Sequence, residues 1–327
     1  MHYLGIDVAK AKLDCSLLID VDQNKRKSKS VANSPAGIAD LLTWISKQNI
    51  HPAQLHAVME ATGVYHERAA ATLHDAGVTV SIANPAHVKH FARGLAVRTK
   101  TDGVDSLVLA RYGALVKPRR WTPPPAEACI LQDLLARREA IKQDLQREYN
   151  RQEKTSITQR SDLIQQSLTD SIAFHTGQLK KIQSQVDDHI DRHPSLKNDL
   201  DLLQSIPAIG PQSGTQLLAV MHSHTYHSAE QLAAYLGVVP IEHQSGSSVM
   251  GRAKLSKAGP SRLRAVLYMA AIVAIRHNPH VKAMYERLLA RGKTKMSALG
   301  AAMRKLVHLC FGVLKNQQKY QADYKNA

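Results

Sequence analysis

The sequence predicts an α/β N-terminal domain with a mixed sheet, then a helical coiled-coil spacer, then a mainly α-helical C-terminal domain. Three observations predict it. Residues 1 to 116 alternate short apolar runs with capped helical segments, residues 117 to 126 are dense in proline, and beyond them apolar residues recur at helical intervals.

In the first part, Tyr3 to Ile6 and Leu13 to Ile19 are apolar runs separated by a lysine-containing turn, and each reads as a strand. Asn24 to Ser30 is basic and polar, which suits a strand facing solvent. Ser34-Pro35 opens a helix through Ile45, with the serine as N-cap and the proline at the first helical position. Leu55 to Met59 reads as a buried strand, His66 to Asp75 as a helix and Val78 to Ile82 as a further strand. Asn84-Pro85 then turns the chain into another helix.

Lys117 to Ala126 (KPRRWTPPPA) is a linker, because proline lacks a donor N–H and favours an extended chain. Leu168, Ile172, Leu179, Ile182, Val186 and Ile190 follow at intervals that keep them on one helical face. A weaker stripe of Leu131, Leu134, Ile141 and Leu145 precedes them across the polar stretch from Asn150 to Arg160. A helical hairpin accounts for both stripes, and so does a dimer-forming coiled coil. The expected domains are 1–118, 119–200 and 201–327.

In the last of these, Ser205-Ile206-Pro207-Ala208-Ile209-Gly210 has the look of a helix-hairpin-helix turn that could hold a phosphate, or of a plain helical corner. Ser228 with Gln231 forms a capping box opening a helix through Leu236. A Gly/Ser loop from Gln244 to Gly251 precedes helices that resume near Ser261.

Charge narrows the class of function. The formal charge of +16 divides into +6 over residues 1–120, −4 over 121–250 and +14 over 251–327. A basic domain on a near-neutral body is what a polyanion binder needs, since lysine and arginine contacts to phosphate release condensed counterions. Cys15, Cys129 and Cys310 are too few and too far apart for a disulfide framework or a cysteine zinc site. The N-terminus lacks the pattern of a signal peptide, and the apolar stretch Ala265 to Ile275 is too short to span a bilayer, so a cytoplasmic protein is expected.

Two constellations could carry chemistry. Asp7 and Glu60 each end an apolar strand, while Asp102 and Asp105 lie three apart at a helix start, on one face. Taken singly, such acids are ordinarily caps or solvated charges. Gathered at one sheet edge they would repel one another unless a cation such as Mg²⁺ or Mn²⁺ neutralised them. The second is Gln244 to Gly251, with Ser245, Ser247 and Ser248 set about two glycines and followed by Arg252, Lys254, Lys257, Arg262 and Arg264. It reads either as a hydroxyl-bearing, phosphate-facing surface or as a solvated linker. His222, His224 and His227 lack a fourth ligand for zinc and read as a polar helix end.

These residues resemble a known family. YLGID with Asp7, MEATGVY with Glu60, Ile82-Ala83-Asn84-Pro85-Ala86 and RTKTDGVDS with Asp102 and Asp105 are similar to the DEDD domain of the IS-one-ten (IS110) family of insertion-sequence transposases, which includes the Piv-type DNA invertases. SIPAIG and HQSGSSVMGRAKLSKAGPSRLRAVLYMAA resemble that family's C-terminal domain. The resemblance runs in order from residue 3 to about 315, with Ala208 standing where the family more often has glycine.

The resemblance implies an RNase H-like (RuvC-like) first domain in which Asp7, Glu60, Asp102 and Asp105 bind Mg²⁺. It implies Ser245 as the nucleophile that forms a phosphoserine link to DNA, a site shared between protomers of a dimer or tetramer, and a structured guide (bridge) RNA as second polyanion. It implies action at the nucleoid of a bacterial or archaeal cell. Arg252, Lys254, Lys257, Arg262 and Arg264 would then grip nucleic acid. The competing readings are a RuvC-like nuclease in which water attacks and Ser245 is structural, a Piv-type invertase, and a non-catalytic nucleic-acid scaffold.

Overall fold

The computed structural model describes residues 1–20, 25–96, 101–158, 161–242, 253–323 and the backbone of 244–245 and 249–250. The chain divides into two compact units, Met1–Pro123 and Pro124–Ala327.

The first unit is a five-stranded mixed sheet with helices on both faces. Its strands are β1 (His2–Val8), β2 (Lys12–Asp20), β3 (Lys25–Ala32), β4 (Leu55–Glu60) and β5 (Thr79–Ala83); its helices are α1 (Pro35–Ser46), α2 (Glu67–Asp75), α3 (Pro85–Gly94) and α4 (Asp102–Val116). The spatial order is β3-β2-β1-β4-β5, antiparallel across the first three strands and parallel from β1 through β4 to β5. β3 is largely exposed along its basic run, as a solvent-facing strand should be. The caps are the expected ones: Ser34 Oγ accepts from Gly37 N, and Asn84 Oδ1 from Ala86 N.

Alternation along the strands sorts the two faces. Leu4, Ile6 and Val8 of β1 and Leu13, Cys15 and Leu17 of β2 pack with Ile38, Leu41 and Ile45 of α1 and with Ala69, Ala70 and Leu73 of α2. The opposite face carries Val58 against Val108, Leu109 and Tyr112 of α4 and Val88 of α3. Gly5 faces this side, where α4 crosses so closely that a Cβ would lie 1.8 Å from the Ser106 carbonyl oxygen and 2.4 Å from Ala110 N. Only glycine allows that approach. A buried 2.8 Å hydrogen bond between Ser16 Oγ and Ser106 Oγ fixes α4 against β2.

The proline-dense segment is not loose. Trp121 N donates to Val80 O at 2.7 Å and Ser81 Oγ to Arg119 O at 2.7 Å, so the chain runs along the edge of β5 before leaving the unit.

The second unit is mainly helical. α5 (Ala126–Thr158) and α6 (Asp162–Arg192) pair antiparallel, with Arg138 Nη1 on Gln183 Oε1 and His189 Nε2 on the Glu127 carbonyl, both at 2.8 Å. Within the chain the two apolar stripes are thus accounted for by a hairpin, and the polar stretch expected between them is largely helical. Leu131, Leu135, Val186 and Ile190 join the core formed by α7 (Pro194–Gln204), α8 (Pro211–Ser223), α9 (Ala229–Tyr235), α10 (Ser261–His277), α11 (Pro279–Ala290) and α12 (Lys295–Asn316). Among the described helices α12 alone, rather than the stretch at 265–275, is long and apolar enough to cross a membrane. Its Ala298, Ala302, Leu306, Val307 and Cys310 are fully buried among neighbouring helices, which marks it as a core helix.

The Gly/Ser segment is a β-hairpin. β6 (Pro240–Ile241) pairs with β9 (Lys254–Leu255) at its root, and β7 (Gln244–Ser245) pairs with β8 (Val249–Met250) towards its tip.

Candidate active site

Two strand ends and one helix start of the first unit bring four carboxylates together. Asp7 occupies the last full turn of the pleat in β1 and Glu60 ends β4. Because Ile6 and Met59 are partners in the parallel register, the next residues, Asp7 and Glu60, stand side by side at the strands' C-terminal ends. Alternation puts both on the face of Gly5 and Val58, the face that α4 covers. Thr101 caps α4, its Oγ1 accepting from Val104 N, so Asp102 and Asp105 lie in the helix's first turn. The positive end of the helix favours carboxylates there. The glycine contact at Gly5 lets that turn descend onto the end of β1.

The electrostatics show that the groups feel one another. The Asp7 carboxyl is pushed up to about 6, first by burial and then by the negative fields of Asp105, Asp102, Asp14 and Glu60. Burial and repulsion both favour the neutral acid. Asp14 is a further member of this group, beyond the four acids expected from the sequence. It pairs with Asp7 in the β1–β2 register and shares its face, but in the sequence it interrupts an apolar run and looks like an ordinary strand residue. Its signal was its spacing: on β2 it alternates with core residues Leu13 and Cys15.

Lys12 also belongs to this edge, though nothing in its local sequence marks it. Its ammonium lies 2.6 Å from Asp102 Oδ2 and 3.0 Å from Asp14 Oδ2, linking the helix start to the sheet edge. This lysine lowers the Asp102 pKa, and the two carboxylates raise its own. Asp102 is thereby turned to an ammonium, and among the described residues no group of three acidic, histidine or cysteine side chains is arranged to hold a metal ion. The donor chemistry nevertheless suits a hard divalent cation: the facing groups are carboxylates of like charge, and one of them is lifted by the others.

Ser245 lies in the second unit, on the arm of the hairpin just before residues 246–248, which with Arg252 fall outside the described residues. The root of that hairpin is pinned. Gly237, at φ +69°, passes Ala258 so closely that a Cβ would meet its carbonyl oxygen at 2.0 Å, and Gly259, at φ +88°, passes the Tyr235 carbonyl in the same way at 1.9 Å. Lys257 N donates to Gly237 O and Ser256 N to Val239 O. Leu255 reaches the helical core beside Gly300 of α12.

The basic residues divide by role. Lys254 and Lys257 are exposed beside the hairpin root. Arg262 is ion-paired with Glu139 of α5, and Arg264 Nη1 donates to Gly259 O at 2.8 Å, bracing the root. In the SIPAIG turn, Ala208 adopts φ +86°, the left-handed conformation in which glycine is the easier residue. His222 hydrogen-bonds Asp199 at 2.8 Å and His224 meets Ser223 at 2.9 Å, so these two histidines serve the local packing.

Comparison with known proteins meets this geometry at both units. A DEDD-type transposase family model matches residues 4–155, and the model described as "Transposase IS116/IS110/IS902 family" matches residues 200–286. The pilin gene-inverting protein of Moraxella bovis is 32% identical over 320 residues, 97% of each chain. The 43.6 kDa protein of insertion element IS110 from Streptomyces coelicolor is 26% identical over 162 residues, covering 49% of this chain and 39% of that one. The transposase of insertion sequence element IS1111A from Coxiella burnetii is 29% identical over 129 residues, covering 38% of this chain and 35% of its own. With one relative aligned nearly from end to end and family matches in both units, the chain is a member of the IS116/IS110/IS902 transposase family and an enzyme of DNA recombination.

Proposed function

We propose that this enzyme is an RNA-guided DNA transposase that cuts and rejoins strands through Ser245, with Mg²⁺ held by Asp7, Glu60, Asp102 and Asp105; Mn²⁺ would serve in the same place. The single observation that supports this most is the gathering of the four carboxylates at the ends of β1, β4 and α4, with Asp7 pushed up to about 6 by burial and by its neighbours. The strand order, three antiparallel strands continued by two parallel ones, supports an RNase H-like reading of the first unit. A divalent ion bound there supplies neutralisation of phosphate charge.

The serine's part follows from its chemistry. Attack by Ser245 Oγ on a phosphodiester forms an Oγ–P bond and releases a deoxyribose hydroxyl. A hydroxyl of another strand can then displace the serine. Because one phosphodiester replaces another, the bond energy is kept and no high-energy cofactor is needed. Lys254 and Lys257, exposed beside the hairpin root, would hold the phosphate backbone, together with Arg252; Arg262 and Arg264 would do so while bracing the fold. DNA and a guide RNA are the two polyanions for which the +14 of the last segment is available. The carboxylates and the serine lie in different units, which is compatible with a site completed by a second protomer of a dimer or tetramer.

Ser245→Ala tests the reading. Covalent protein–DNA adducts trapped on a denaturing gel should disappear while the chain stays folded. Cleavage surviving in this variant would instead establish a nuclease using water. A second reading, site-specific inversion rather than insertion, is favoured by the alignment with the pilin gene-inverting protein across 97% of both chains. A reporter segment flanked by inverted sites, assayed beside an excised donor circle, separates the two.

A further inference from the structure

We propose that Lys12 is a built-in counter-cation of the carboxylate cluster, one that holds Asp102 to Asp14 while no divalent ion is bound and must release Asp102 when one binds. This rests on the metal-binding reading above and adds a residue that reading does not contain.

Geometry carries the inference. Lys12 opens β2, where alternation places it on the same face as Asp14, and from there its side chain reaches the first turn of α4, ninety positions further along the chain. It touches two carboxylates from different elements, at 2.6 Å and 3.0 Å. A surface lysine with its side chain 48% exposed has many solvated conformations open to it, so a bridge to two acids has to offset the entropy of fixing a long side chain. The two ion pairs supply that, since hydrogen bonds to Asp102 and Asp14 both favour the charged ammonium.

The bridge also has a cost for metal binding. A carboxylate oxygen engaged by an ammonium at 2.6 Å is less available to an ion, so ion and lysine compete for Asp102. Lys12 sits on the half-exposed rim, and its release needs only rotation about side-chain bonds. The strand and helix that carry the acids can stay where they are, positioned by Gly5 and by the Ser16–Ser106 hydrogen bond.

Titration of the metal-stripped full chain with Mn²⁺, following the free ion by electron paramagnetic resonance, tests this directly. Lys12→Met should bind Mn²⁺ roughly tenfold more tightly than the wild type, the scale on which residues touching a ligand change metal affinity. Lys12→Arg, which keeps the charge and the reach, should bind like wild type. Lys10→Met, which removes an equal charge two residues away, should leave the affinity essentially unchanged. In melting experiments Lys12→Met should be less stable than wild type in EDTA and recover the deficit in saturating Mn²⁺; Lys12→Gln repeats the measurement if the methionine variant folds poorly.

Equal or weaker binding by Lys12→Met and Lys12→Gln would overturn the inference, and so would an equal gain in Lys10→Met, which would mean a general field effect. The wild-type titration examines the metal reading itself. Binding in the wild type with no gain in the variants defeats only the role of Lys12, binding confined to the Lys12 variants supports it, and no binding in any of them defeats both.

Discussion

The carboxylate edge and the serine hairpin differ in the elements that carry them. Asp7 and Glu60 sit on strands of seven and six residues whose alternate side chains are buried, and α4 is keyed onto the sheet by a glycine contact at β1 and a buried serine pair at β2. Ser245 sits on a two-residue strand, and the hairpin's root is held by Gly237, Gly259, Leu255 and Arg264. Like charges held against repulsion require a rigid frame, and the same holds for the root from which the hairpin springs: in each case a backbone approach that only glycine allows sets the position.

The largest effect expected from breaking the first side is chemical. Asp7→Asn should lower recombination on the order of 10²-fold or more, the scale of losing a group that stabilises transition-state charge, with unchanged circular dichroism. Next come the glycines on which each frame depends. Gly5→Ala should cost about 3 kcal/mol in urea unfolding, because its Cβ would meet backbone of α4 that cannot step aside. Gly237→Ala should cost about 2 kcal/mol from left-handed strain and its clash with Ala258, and by moving the hairpin root it should also depress adduct formation. If Gly237→Ala left adducts intact, the hairpin would not need its anchored root.

A smaller effect separates charge from shape at the carboxylate edge. With its folded pKa raised to about 6, Asp7 binds its proton more tightly in the folded chain than in the unfolded one. Its contribution to stability is therefore full below the ordinary carboxylate range and is lost as the pH rises to about 6 and beyond. In EDTA at pH 7.5, Asp7→Asn should be more stable than wild type by on the order of 1 kcal/mol once solvent screening is allowed for, and the advantage should vanish near pH 4. Divalent ions should reverse the order by stabilising the wild type alone. The smallest effect belongs to the other unit: Ala208→Gly should stabilise by about 0.5 kcal/mol, relief of the left-handed alanine outweighing the added freedom of the unfolded chain.

Much of the frame was legible in the residues because it rests on local rules. Ser34 and Asn84 announce their helices by capping chemistry, and Asp7 and Glu60 stand out as acids closing apolar runs. The strands Gln244–Ser245 and Val249–Met250 are not legible in the residues, since glycine and serine carry no alternating apolar signal and each strand is two residues long. Nor does the proline segment reveal its attachment to β5, because those hydrogen bonds join residues nearly forty positions apart.

The amino-acid sequence by itself determined the order of the first unit's elements, the acids at the ends of β1, β4 and α4, the serine beside Gly246 and the uneven distribution of charge, for these depend on side-chain type and on spacings of two to four residues. Only the tertiary structure decided that Asp14 belongs with the other acids and that Lys12 spans to Asp102. That depends on strand register and on how closely one helix can approach a glycine, and pairings across so many positions leave no periodic trace in the chain.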